Sequence, residues 1–166
     1  NAAGSTLSNP LAASVSDDRG LTWSAPVAVT PAGSSNQGTQ PVFLPDGSLV
    51  VINITFIDPN NVARFSIQAK RSADGGRTFP ATATTVAAAV NGWDDPEVRD
   101  GVYLPSDTVA RQPGEIFVTY TAIVDGTPRV VVTKSADRGA SWTAPVGASV
   151  QPPGVSVMNP AIAAQP

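Results

Sequence analysis

Two kinds of stretch in this chain combine residue types that could do chemistry. The first is Asn91 to Leu104, NGWDDPEVRDGVYL, which gathers Trp93, Asp94, Asp95, Glu97, Arg99, Asp100 and Tyr103. An aromatic ring beside carboxylates and an arginine suits a sugar, since the ring stacks on the pyranose face while charged groups hold hydroxyls. Asp94, Asp95, Glu97 and Asp100 also offer oxygen ligands for calcium, although their spacing matches no EF-hand loop. A third reading is a solvated acidic connection with Trp93 packed on a neighbouring element. The second kind is SADGGRTF from Ser72, which holds an acid, a base and two glycines. It looks like an active loop until its copies are noticed. SDDRGLTW runs from Ser16 to Trp23, and SADRGASW from Ser135 to Trp142.

The three copies share Ser-x-Asp-x-Gly-x-(Thr/Ser)-(Trp/Phe), and each position has a local purpose. Asp18, Asp74 and Asp137 can accept from backbone N–H groups of their own turn. Gly20, Gly76 and Gly139 supply a backbone conformation that other residues reach only with strain. Thr22, Thr78 and Ser141 can return a side-chain hydrogen bond across the hairpin. Trp23, Phe79 and Trp142 can cover the turn. Arg77 becomes Leu21 and Ala140 in the sister copies, so it has no repeated role. The pattern predicts structural turns and places function elsewhere.

The elements around the turns repeat as well. Strand-like runs precede them (LAASV from Leu11, FSIQAK from Phe65, RVVVTK from Arg129) and follow them (SAPVAV from Ser24, PATATTV from Pro80, TAPVGASV from Thr143). A further strand pair precedes each later turn, hinged at Pro45-Asp46-Gly47 and at Gln112-Pro113-Gly114. Proline presets φ there and glycine permits a positive φ. Four short strands per unit, with no amphipathic helix, predict an all-β fold of propeller blades. The expected organisation is one propeller segment over 1–166. It has a third and fourth strand at 10–30, blades at 41–88 and 105–150, and a first strand of a further blade at 158–166.

Composition excludes several chemistries. The 166 residues are 42% hydrophobic and 14% charged, enough for a core. There is no cysteine and no histidine. Disulfides, thiolate or histidine metal sites and a Ser-His-Asp triad are therefore excluded from this chain. A net charge of −3 with scattered basic residues gives no nucleic-acid surface. No apolar run approaches the roughly 20 residues that span a bilayer.

The repeated turn resembles the Asp-box, or BNR repeat, of the sialidase superfamily, over most of the chain from about Leu11. The resemblance implies a sialidase-like β-propeller of about three four-stranded blades, roughly half of a six-bladed ring. It places the boxes on the periphery, between the third and fourth strands of each blade. It implies a sialidase-like exo-glycosidase acting on glycoconjugates, with a carbohydrate ligand, no cofactor, and a secreted or cell-surface location of bacterial type. The alternative is a non-catalytic propeller that binds glycans or proteins. The family's tyrosine–glutamate pair, arginine triad and acid/base aspartate match no motif here, so no catalytic residue is carried over. The ligand-contact candidates are Trp93, Asp94, Asp95, Glu97 and Arg99. Half a ring leaves blade faces uncovered. The expectation is either a segment of a longer protein or self-association that completes a split blade.

Overall fold

The computed structural model describes residues 8–58, 61–91, 104–110, 114–150, 152, 155 and 157–164. Among these residues there is no helix; ten strands form three sheets. A two-stranded sheet pairs β1 (Ala12–Ala13) with β2 (Val27–Ala28). A four-stranded sheet runs β3 (Asn36–Phe43), β4 (Leu49–Asp58), β5 (Asn61–Ser72) and β6 (Thr84–Asn91) in chain order. A second takes β7 (Ser106–Val109), β8 (Ile116–Val124), β9 (Thr127–Ser135) and β10 (Val146–Gly147), also side by side. All named pairings are antiparallel, so each sheet is a meander built from local hairpins.

Turn chemistry sets the registers. Between β3 and β4, Gly47 N donates to Leu44 O at 2.9 Å and Gly47 takes φ 81°. Between β8 and β9, Asp125 and Gly126 both have positive φ, 50° and 73°. That is the signature of a two-residue turn whose twist matches its strands. It aligns Val124 with Thr127 and, eight steps on, Ile116 with Ser135.

Alternation along β4 assigns its two faces. Val50, Ile52 and Ile54 point one way, joined by Phe65, Ile67 and Ala69 of β5. They form the main core with Ile116, Val118, Tyr120 and Val131 of the second four-stranded sheet. Leu49 and Val51 point the other way and pack with Val29, Leu11, Ala13 and Phe79. The β3–β6 sheet is thus sandwiched, apolar on one side and mixed on the other. Tyr120 lies inside the main core, 2% exposed, and burial pushes its hydroxyl up to about 12.

One close approach depends on a missing Cβ. Gly38 sits in the irregular stretch of β3 with φ 62°, and a Cβ there would lie 2.9 Å from Leu104 Cδ2 and 3.1 Å from Pro105 Cδ. Gly38→Ala will push away the point where the chain enters β7. We expect it to cost about 1–3 kcal/mol of stability, read by chemical denaturation.

Candidate functional site

The three repeated turns join β1 to β2, β5 to β6 and β9 to β10. Their hydrogen bonds superimpose residue by residue. Ser16 Oγ donates to Asp18 Oδ1 at 2.9 Å and accepts from Gly20 N at 2.7 Å. Thr22 N donates to Asp18 Oδ1 at 2.8 Å, and Thr22 Oγ1 donates to Oδ2 at 2.6 Å. Asp74 accepts equivalently from Ser72 Oγ, Thr78 N and Thr78 Oγ1. Asp137 does so from Ser135 Oγ, Ser141 N and Ser141 Oγ. Gly20, Gly76 and Gly139 take φ of 89°, 99° and 85°. The hydroxyls of Thr22, Thr78 and Ser141 close on the aspartate of their own turn, so their reach is shorter than the cross-hairpin bond expected. The aromatic caps are unequal. Trp142 donates Nε1 to Gly139 O at 3.2 Å and Phe79 packs in the smaller core, but Trp23 is 65% exposed.

These carboxylates are fully engaged as acceptors. The Thr22 hydroxyl, then Thr22 N–H and Ser16, hold Asp18 at about 2, and Ser141 with Ser135 does the same for Asp137. Ser72 and Thr78 depress Asp74 too. Arg77 forks onto Asp17 of the preceding turn at 2.6 and 2.7 Å, an exposed pair. Asp46, between β3 and β4, takes Arg71 at 3.2 Å and Arg138 at 3.4 Å. Arg77 and Arg138 thereby link turns, and Arg71 ties β5 to the turn between β3 and β4. Among the described residues, no group of three or more His, Cys, Asp or Glu side chains could hold a metal ion.

The sugar-contact candidates Trp93, Asp94, Asp95, Glu97 and Arg99, with Asp100 and Tyr103, lie outside the described residues. What the structure fixes is where their segment begins and ends. It leaves β6 at Asn91 and returns at Leu104, against Gly38, to start β7.

Two polar features were not singled out from the sequence. Asp107 on β7 stands opposite Val118, on the face turned to the main core. Its Oδ2 is buried without a hydrogen-bond partner, and burial raises the carboxyl to about 6. No sequence signal marks it, because an aspartate in SDTV reads as the polar half of an edge strand. The other feature is a polar cleft of about 270 Å³ between the residues after β2 and the β4–β5 surface.

Opposing pH dependences follow from these carboxylates. The folded pKa of Asp107 exceeds its ordinary 3.8, so its ionisation destabilises the fold as pH rises from about 4 to 6. The turn aspartates are depressed, so their stabilisation is present above about pH 4 and is lost as pH falls towards 2. Thermal melting across this range should peak near pH 4, as an order-of-magnitude position. Asp107→Asn should raise stability above pH 6 by about 1–2 kcal/mol and leave it nearly unchanged near pH 4. A melting profile that is flat, or a variant weaker at pH 7, would contradict this.

Three antiparallel sheets, each with the same turn between its last two strands, define a sialidase-like β-propeller fold. Solved structures carry that statement. A point mutant of NanB sialidase from Streptococcus pneumoniae aligns with a TM-score of 0.54 at 16% identity, covering 84% of this chain and 19% of that one. NanB in complex with a substituted ethanesulfonate gives 0.53 at 16%, over 89% and 20%. A Hadza microbial sialidase gives 0.51 at 18%, over 68% and 26%. At these identities the likeness is one of fold. The chain spans about a fifth to a quarter of the length of those sialidases. No family model and no curated protein matches it. Among the described residues, no helix is long and apolar enough to cross a membrane.

Proposed function

We propose that this chain is a segment of a sialidase-like exo-glycosidase acting on glycoconjugates, and that the β6–β7 connection is its ligand-contacting part. The observation that carries the reading is the fold shared with solved sialidases over most of the chain. Trp93 would stack on a sugar ring, with Asp94, Asp95, Glu97 and Arg99 holding hydroxyls and charge. The repeated turns are Asp-boxes in this reading. Each joins the third and fourth strands of a blade, and the four-stranded sheets are two whole blades. The extended residues near 162–164, whose N–H groups donate to Ser106 Oγ and Thr108 Oγ1, begin the next blade. The uncovered half-blades are completed by further polypeptide or by a second copy. The protein is exported, at the cell surface or beyond.

A second reading is a non-catalytic propeller that binds glycans. It is favoured by the arginines. Among the described residues Arg71, Arg77 and Arg138 are committed to Asp46 and Asp17. A fluorogenic sialoside assay on the full-length protein, beside a glycan array, separates the two. Turnover that drops roughly tenfold in kcat/KM on Trp93→Ala supports the enzyme. Array binding without turnover supports the module. Silence in both assays sinks both readings.

A further inference from the structure

The polar cleft holds unused hydrogen-bonding capacity on one sheet face. Its wall is Asn53 and Thr55 of β4 with Gln68 and Lys70 of β5; Thr30, Pro31 and Ser34 face them from the segment after β2. Lys70 is 5% exposed, and its ammonium donates to Pro80 O at 2.9 Å and Ala81 O at 3.1 Å. An ammonium has three protons, so one donor is left over. Among the described residues no carboxylate pairs with it, and burial is what lowers its pKa. Asn53, 1% exposed, spends its Nδ2 on Asn36 Oδ1, Ile54 O and Thr55 Oγ1, which leaves its Oδ1 with no partner. The amide cannot be reversed, because Asn36 Oδ1 and Ile54 O are acceptors and require an N–H. Gln68 stands directly opposite Asn53, and Lys70 is two residues further along the same face. The side-chain amide of Gln68 takes no part in this network.

We propose that this cleft binds a small hydroxy acid. The carboxylate would sit on the spare Lys70 N–H and the Gln68 amide, a charge-assisted arrangement that also neutralises the buried cation. The ligand hydroxyl would meet the Thr30 and Ser34 hydroxyls that line the cleft. A volume of about 270 Å³ admits a molecule of a few carbons. This proposal does not rest on the glycosidase reading.

Titration of the isotope-labelled chain with lactate, glucuronate, acetate and glycerol, followed by NMR, tests it. Lactate or glucuronate should shift the Lys70 side-chain and Gln68 amide signals saturably, with Kd on the order of 1 mM. Lactate alone would assign a free organic acid, and tighter glucuronate a sugar acid. Acetate should bind roughly tenfold more weakly and glycerol should not saturate. Lys70→Gln should abolish the shifts, whereas Trp23→Ala, on the apolar groove beside β1, should leave them. If Lys70→Gln fails to fold, the wild-type titration still decides. Unmoved Lys70 signals, or equal response to glycerol, overturns the proposal.

Discussion

Phe65→Ala will lower the unfolding free energy by about 3–5 kcal/mol, the largest single loss expected in this chain. Phe65 is fully buried on β5. It stands opposite Phe56 of β4 and Val90 of β6, in the core that joins the two four-stranded sheets. Removing the ring deletes apolar area and leaves a cavity that strands pinned on both sides cannot close. Typical domains hold only about 5–15 kcal/mol in total, so the change threatens the fold itself. Phe43→Ala is the control: Phe43 is 64% exposed, and its loss should move stability by less than about 0.5 kcal/mol. Denaturant midpoints at constant slope measure both. Equal effects from the two variants would mean that the sheets do not pack as described.

Gly76→Ala is expected to cost about 2–4 kcal/mol, from two sources. Gly76 has φ 99°, which an L side chain reaches only with strain. It is also buried, and a Cβ would approach Leu49 Cδ2 to 3.0 Å and Val15 Cγ2 to 3.3 Å. Leu49 belongs to the smaller core, and Val15 lies between β1 and the first turn, so the clash falls between sheets. Gly20 makes the comparison, since its φ is similar but its nearest neighbour, Trp23 Cζ2, is 4.0 Å away. Gly20→Ala should therefore lose only the backbone part, about 1–2 kcal/mol. A loss at Gly20 equal to that at Gly76 would show that packing adds nothing.

The same comparison shows how far the sequence carries. Three identical turns look interchangeable when read as residues, and their hydrogen bonds are indeed the same. What differs is the layer pressed against each one. Trp23 stays exposed while Phe79 packs, because only some turns have a sheet beside them. The Asp125-Gly126 turn, with positive φ at both positions, was not singled out from the sequence.

The sequence by itself determined the all-β class, the repeated turn with its acceptor aspartates, and the exclusion of cysteine and histidine chemistry. These are local matters. A turn is closed by groups a few residues apart, and alternation of period two announces a strand. Tertiary structure alone decided which polar groups are left unsatisfied. Asp107 loses a partner only because β7 is laid against another sheet's apolar face. Lys70, Asn53 and Gln68 share a cleft only because the register of β4 with β5 and the segment after β2 bring them to one surface. Burial and desolvation are set by what lies across the gap, and that neighbour comes from a distant part of the chain.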